Sequence, residues 1–129
     1  MKKNILRAIA LGLMTVILCV LLSSCSSLSD PDKTAQSLES AGYAVVYNNG
    51  EGETNAAALP QGSIATIMAY NGNEFIYITY YEDIAAAEDA WGAAQSAAEA
   101  LKKNNENVVY KKSGNIIYYG TKQALKDAK

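Results

Sequence analysis

Residues 64–81 read IATIMAYNGNEFIYITYY, two runs of β-branched and aromatic residues joined by Asn71-Gly72. Such runs favour strands, and Asn-Gly between them indicates a β-hairpin, because both central residues of a type I′ turn need positive φ. A two-residue turn at this dipeptide sets Ile67 opposite Ile76. The stretch therefore predicts an antiparallel hairpin with a fixed register.

The two faces of this hairpin differ, because successive side chains of a strand point to opposite faces. One face carries isoleucine and alanine, and the other is mainly aromatic. Exposed apolar patches often mark interaction sites, so the aromatic face is a candidate platform for a peptide, a glycan or a partner domain. The simpler alternative is that tyrosine suits a half-exposed strand position. The candidate binding surface consists of Met68, Tyr70, Phe75, Tyr77 and Tyr81.

Capping residues and apolar spacing outside the hairpin predict the remaining elements. The predicted order is a helix over 31–41, strands over 43–47, 64–70 and 74–81, an alanine-rich helix over 84–101, strands over 107–112 and 115–119 joined at Ser113-Gly114, and a helix over 121–128. We expect an α+β fold with a single, mainly antiparallel sheet of about five strands. The alanine-rich helix should pack on the isoleucine and alanine face, with Trp91 in the core.

Residues 48–63, NNGEGETNAAALPQGS, contain four Gly or Pro residues and few large apolar ones. A stretch of this length without secondary structure is uncommon in a compact domain. It is either a functional loop or contains a short helical turn over 56–59. Together with the tyrosines, such a loop could close over a small molecule or a cell-wall glycan or peptide.

The composition argues against catalysis and against nucleic-acid binding. The 129 residues include two cysteines and no histidine, which excludes histidine-based catalysis and histidine-ligated metals. No nucleophile-elbow, P-loop, zinc-protease or dinucleotide-binding motif occurs. From Cys25 onward, eight basic residues face 13 acidic ones, so a negatively charged domain should be repelled by polyanions and anionic headgroups. We expect a non-enzymatic protein without cofactor, metal or nucleic-acid partner.

The N-terminus has the pattern of a targeting segment. Lys2, Lys3 and Arg7 precede an apolar run over 8–22. These 15 residues are too few to span about 30 Å of hydrocarbon but fit the apolar core of a secretory signal. The charged and apolar residues alone also fit an ordinary secreted protein cut near Ser24, or an uncleaved anchor.

The next residues, Leu22-Ser23-Ser24-Cys25, resemble the lipobox of bacterial lipoprotein precursors, in which a leucine and two small residues precede an invariant cysteine. The resemblance implies cleavage after residues 1–24 and a diacylglycerol on the Cys25 sulfur. The mature chain would then sit on the extracytoplasmic face of the cell membrane, with residues 25–32 as a short polar tether and 33–129 as one globular domain. In general plan the mature chain also resembles small uncharacterised lipoproteins of clostridial-type bacteria, a resemblance that carries no activity.

These observations lead to two functional hypotheses. The first is a membrane-anchored, non-catalytic module that binds an envelope protein, or a second copy of itself, through the aromatic face. The second is a small-molecule or cell-wall glycan or peptide binder that uses the tyrosines and the 48–63 loop.

Replacing the lipobox cysteine tests the anchor. A Cys25→Ala chain is expected to incorporate no labelled fatty acid and to lose normal processing and membrane retention, because it lacks the thiol that the lipid would occupy. Metabolic labelling and cell fractionation measure both effects. Cys19→Ala is the matched control and should behave as the parent chain, since the bulky Leu18 before Cys19 does not fit a lipobox. A Cys25→Ala chain that remains membrane-bound and is cleaved at the usual rate contradicts the assignment.

Overall fold

The strands over residues 28–51 and 59–129 form one antiparallel sheet. The computed structural model describes residues 28–51 and 59–129. In chain order the elements are α1 (Pro31–Ser40), β1 (Ala44–Asn48), β2 (Ser63–Asn71), β3 (Glu74–Tyr81), α2 (Ile84–Lys102), β4 (Val108–Ser113), β5 (Ile116–Thr121) and α3 (Lys122–Asp127). The five strands lie in the order β1-β2-β3-β5-β4, and each neighbouring pair is antiparallel. The predicted α+β fold and element order are confirmed.

Several predictions concern residues outside the described part of the chain. The targeting segment over 1–24 and the lipobox cysteine Cys25 lie there, as do residues 52–58 of the predicted loop. Among the helices over 28–51 and 59–129, none combines the length and apolar character needed to cross a bilayer.

Local capping explains where the first two helices begin. The Asp30 carboxylate accepts a hydrogen bond from the Lys33 N–H at 3.0 Å, and the Asp83 carboxylate accepts one from the Ala86 N–H at 2.8 Å. Both bonds satisfy amide groups that lack a partner within the helix. Gly42 follows α1 with a φ of +92°, the left-handed conformation common just after a helix. The predicted first residues of both helices and the predicted glycine after α1 are confirmed, and each helix ends within one residue of its predicted end.

The central hairpin turns one residue later than predicted. Its two central residues are Gly72 and Asn73, because Asn71 still pairs with Glu74. Gly72 has a φ of +61°, and within the described ranges every residue with positive φ is a glycine. A type I′ turn needs positive φ at both central positions, whereas a type II′ turn needs it at the first only. Gly72 followed by Asn73 therefore fits a type II′ turn.

This later turn changes the cross-strand partners. Ile67 pairs with Ile78, not with the predicted Ile76. The shift is two residues, so each side chain keeps its predicted face. The second hairpin also turns one residue later than predicted, with Gly114 (φ +62°) first and Asn115 second.

One face of the sheet, which we call the core face, is covered by α1 and α3. Ile67, Ile76 and Ile78 of this face are at most 2% exposed. Leu38 of α1 and Ala124 of α3 belong to the same buried cluster. Full burial of an isoleucine or leucine side chain contributes about 1.5–3 kcal/mol, so this cluster is the principal hydrophobic core.

The alanine-rich helix α2 lies on the opposite, aromatic face, so the predicted seat on the isoleucine and alanine face is wrong. Ala87 is buried with Tyr81 and Ile117, and the partly buried Trp91 packs against them. Strand pairing places Tyr81 and Ile117 on the aromatic face. Apolar spacing identifies the buried stripe of a helix but not the surface that the stripe contacts. Here α1 and α3 occupy the other face.

The chain enters the domain on the core face. Leu28 is only 6% exposed and joins the main core. The Tyr80 hydroxyl lies 2.9 Å from the Ser29 carbonyl oxygen and 3.0 Å from Thr34 Oγ1, which fixes this segment to β3. Residues 28–32 of the predicted tether therefore contact the domain or begin α1. The division of the chain at residues 24 and 32 stays a prediction.

A second polar contact joins the α1–β1 connection to α3. Tyr43, which follows α1, donates a hydrogen bond from its hydroxyl to Asp127 Oδ2 in α3 at 2.8 Å. Burial, followed by this hydrogen bond and the Asp127 charge, raises the pKa of Tyr43 to about 12. The contact therefore depends on a protonated tyrosine.

The backbones of β3 and β5 approach closely at Gly120. A Cβ at this position would overlap the Phe75 carbonyl oxygen and lie 2.6 Å from Ile76 Cα. The adjacent Thr121 hydroxyl accepts a hydrogen bond from the Phe75 N–H at 3.3 Å. Because Gly120 has no side chain, β3 of the first hairpin and β5 of the second can pair.

Two glycine-to-alanine substitutions test this close approach. Gly120→Ala is expected to lower the free energy of unfolding by about 2–3 kcal/mol, because the added Cβ meets backbone atoms that cannot move aside. Gly92→Ala in α2, where the added Cβ meets no atom within 4 Å apart from its chain neighbours and the nearby backbone of the same helix, should raise it by about 0.5–1 kcal/mol through helix propensity. Urea unfolding followed by circular dichroism measures both changes. A Gly120→Ala chain as stable as the parent refutes the close approach.

Stability should fall as the pH rises from about 10 to about 12. A tyrosine in the unfolded chain ionises near pH 10, but folded Tyr43 keeps its proton until about pH 12, so proton release favours unfolding in this window. Tyr43→Phe should lose less stability over the same range. Part of the loss remains, because burial and a hydrogen bond with Asp32 also raise the pKa of Tyr47 to about 12. Unfolding midpoints at several alkaline pH values test this, and equal pH dependence in both chains contradicts it.

Candidate ligand-binding cleft

A cleft of about 640 Å³ opens between α2 and the aromatic face of the sheet. Its floor comes from β3 and β5, and its mouth includes residues 60–62. This volume lies within the range of roughly 300–1,000 Å³ typical of small-molecule sites. The floor residues are Tyr77, Thr79, Tyr81, Ile117 and Tyr119, and the wall residues on α2 are Ala86, Asp89, Ala90, Ala93, Ala94 and Ala97.

The cleft exists because α2 is held towards the β4 side of the sheet. The Trp91 and Tyr110 rings lie 6.0 Å apart between centroids, and the Tyr110 hydroxyl donates a hydrogen bond to Glu99 Oε1 at 2.9 Å. Lys112 Nζ of β4 lies 3.8 Å from Glu88 Oε1 of α2. On the β3 side the helix presents short alanine side chains and the exposed Asp89, and the alanines leave space above the floor.

Two stacked tyrosines form the centre of the floor. Tyr77 of β3 and Tyr119 of β5 are paired across the strands, and their rings lie 5.3 Å apart at an interplanar angle of 30°. Aromatic pairs at this separation contribute about 0.5–1.5 kcal/mol beyond the area that they bury. The pair is therefore a rigid apolar surface.

The Tyr81 and Tyr119 hydroxyls of the floor remain protonated at neutral pH. Burial, with smaller contributions from Tyr77 and Tyr81, raises the pKa of Tyr119. Burial and then Tyr77 raise the pKa of Tyr81. These groups can donate or accept hydrogen bonds but carry no charge. The carboxylate among the lining residues belongs to Asp89, which is exposed.

The structure divides the predicted binding surface into two adjoining parts. Tyr77 and Tyr81 line the cleft, and Tyr81 is only 5% exposed. The other three predicted residues, Met68, Tyr70 and Phe75, line a neighbouring depression of about 380 Å³ together with Leu101. We call this depression the aromatic shelf. Met68 is 36% exposed and Tyr70 is 44% exposed. Tyr77 and Tyr119 border both the shelf and the cleft, so the two parts form one continuous surface. The aromatic shelf consists of Met68, Tyr70, Phe75 and Leu101.

Several lining residues were not predicted. Thr79 lies on the predicted aromatic face of the hairpin but is not part of the predicted binding surface. Ile117 and Tyr119 come from the second hairpin, where each face carries a lysine and a tyrosine, so alternation alone could not orient it. The wall alanines were expected on the other face of the sheet. The predicted loop over 48–63 contributes Pro60, Gln61 and Gly62 to the cleft, and its last residue, Ser63, begins β2.

Over residues 28–51 and 59–129, no group of three or more acidic or thiol side chains is arranged to hold a metal ion. No protein-family model, curated protein or solved structure matches this chain. The chemistry of the cleft therefore has to be inferred from its own residues.

Proposed function

We propose that this chain is a lipid-anchored, extracytoplasmic and non-catalytic binding module, which holds an apolar segment of an envelope partner in the cleft and on the aromatic shelf. The supporting observation is the stacked pair of Tyr77 and Tyr119, which forms a rigid floor under a wall of alanines. Tyrosine offers a large contact area at a small cost in conformational entropy, a property used at many binding surfaces.

The chemistry of the lining favours binding over catalysis. A general acid or base works best when its pKa lies near the operating pH, whereas burial raises the pKa of Tyr81 and Tyr119 away from neutrality. The exposed Asp89 belongs to the α2 wall and has no other carboxylate or lysine beside it among the lining residues. Hydrogen bonding and apolar contact are the interactions that this set provides.

The shape of the surface favours an extended ligand. The cleft continues past Tyr77 and Tyr119 onto the aromatic shelf, where Met68 and Tyr70 are more than one third exposed. An extended segment can fill the cleft with one side chain and cover the shelf with others. A compact ligand would leave the shelf in contact with water.

The proposed anchor would keep this surface close to a membrane. The lipobox resemblance at Cys25 supports the anchor, although that residue lies outside the described chain. Only Ser26 and Ser27 separate Cys25 from Leu28, the first packed residue. Three Cα-to-Cα steps of about 3.8 Å give a reach of at most about 11 Å. A partner in the same envelope layer is therefore within range of the cleft.

A second candidate function is the binding of a small molecule or a cell-wall glycan or peptide. The cleft volume of about 640 Å³ and the presence of Gln61 at its mouth favour this alternative. The aromatic floor offers a flat surface for a sugar ring, and the tyrosine hydroxyls and the Gln61 amide offer hydrogen bonds. The shelf would then have no role in binding.

Filling the cleft tests the proposed function. Ala93 is an exposed wall residue, so Ala93→Trp should occupy the cleft without disturbing the core. With a photoreactive phenylalanine analogue at Met68, the parent chain should give a discrete crosslinked adduct in its native envelope. Ala93→Trp should lower the adduct yield at least tenfold, which corresponds to about 1.4 kcal/mol of binding free energy.

Ala85→Trp is the matched control, because Ala85 is exposed on the same helix but does not line the cleft. It should leave the adduct yield unchanged. An adduct that persists at full yield in Ala93→Trp contradicts the proposed site. Saturable quenching of the tyrosine and tryptophan emission by muropeptides or sugars, abolished by Ala93→Trp, would favour the second candidate.

A further inference from the structure

The core face carries a cluster of lysines that the aromatic cleft does not use. They surround a cavity of about 400 Å³ between β4, β5 and α3. Its apolar floor includes Val109, Tyr118 and Leu125. We call these four residues the lysine cluster: Lys111, Lys122, Lys126 and Lys129.

Within the described chain, no carboxylate lies at ion-pair distance from the lysine cluster. None of its members forms an ion pair there, whereas Lys33 pairs with Asp30 at 3.9 Å and Lys112 pairs with Glu88 at 3.8 Å. Asp127 of α3 accepts hydrogen bonds from Tyr43 and Gln123 rather than from a lysine. The cluster thus combines half of the eight lysines from residue 25 onward in one patch without ion pairs.

The lysine cluster lies on the same face of the sheet as Leu28, where the chain enters the domain. Lys111 pairs with Tyr118, a core-face residue, so Lys111 lies on the core face as well. Leu28, through which the chain leaves towards its N-terminus, is packed in the same cluster as Tyr118 and Ala128. The acidic residues of α1 lie over the β1–β2 half of this face, since α1 contacts those strands. The lysines occupy the other half.

We infer that the lysine cluster docks onto the phosphate groups of an anionic membrane and so orients the domain. The inference rests on the proposed attachment of the chain to a membrane. Lysine is a hydrated point charge on a flexible stem, which suits a surface of many phosphates better than one fixed anion. Charges farther than about 8–10 Å are screened at physiological salt, so the local patch outweighs the negative net charge. The aromatic cleft, on the opposite sheet face, then points away from the bilayer.

Lysine acetylation in proteoliposomes tests the orientation. The full chain is reconstituted in vesicles of phosphatidylcholine alone or mixed with phosphatidylglycerol, and the acetylation rate of each lysine is read by mass spectrometry. The lysine cluster should react about fivefold more slowly in the anionic vesicles, the factor expected for one lysine at such a surface. The exposed Lys102 and Lys103 at the end of α2 serve as internal references and should not change. Salt at about 1 M should remove the difference.

A pair of charge-reversal variants supplies the matched control. Lys122→Glu/Lys126→Glu should abolish the protection of Lys111 and Lys129. Lys102→Glu/Lys103→Glu changes the net charge equally and should preserve it. All four substituted positions are exposed, so both chains should keep the circular dichroism of the parent.

Equal acetylation of the lysine cluster in neutral and anionic vesicles would overturn the inference, as would equal effects of the two variants. Only chain that floats with the vesicles is digested, so the comparison between the two lipid mixtures does not depend on how the chain is retained. The mass of the peptide that contains Cys25, from the same digest, reports acylation separately. The anchor and the orientation can therefore fail independently.

Discussion

The pairing of β3 with β5 is the contact on which both faces of the sheet depend. On the core face it brings Ile78 beside Tyr118, and on the aromatic face it brings Tyr77 beside Tyr119. The pairing requires a position without a side chain, since any Cβ at Gly120 would overlap the backbone of β3. A single steric condition thus determines whether the two hairpins form one sheet, one core and one cleft floor.

The parts of this fold that follow from the sequence are those set by short-range chemistry. Asp30 and Asp83 cap their helices with hydrogen bonds that reach only three residues along the chain, and the hairpin strands alternate as their side chains indicate. The predicted turn register is wrong because Asn-Gly and Gly-Asn overlap around Gly72. The sign of φ at Asn71 distinguishes the two turns, and it is not positive here. The seat of α2 and the contribution of Tyr119 to the cleft depend on a non-local pairing, which no local pattern encodes.

The two sheet faces separate two kinds of surface chemistry. The aromatic face carries uncharged rings and hydroxyls beside an alanine wall, and the core face carries uncompensated lysines beyond its buried cluster. Net charge averages over both faces and therefore predicts repulsion from anionic surfaces. The lysine cluster, in contrast, gives one half of the core face a local positive charge, from which we infer attraction to an anionic membrane. The link between the domain and its proposed anchor is short. A neighbouring molecule therefore contacts either the aromatic cleft or the lysine cluster, depending on which face of the sheet is turned towards it.

The central place of β3 also bears on the order in which the sheet can assemble. β2 and β3 are joined by a tight turn and can pair within about 1–10 μs of their synthesis or export. The other partner of β3 is β5, which follows only after α2 and β4. Until β5 arrives, one edge of β3 presents unpaired N–H and C=O groups, a template for strands of other chains. A chain that emerges with its N-terminus first is thus most prone to aggregation after β3 has emerged and before β5 has, and rapid delivery of its last third protects it.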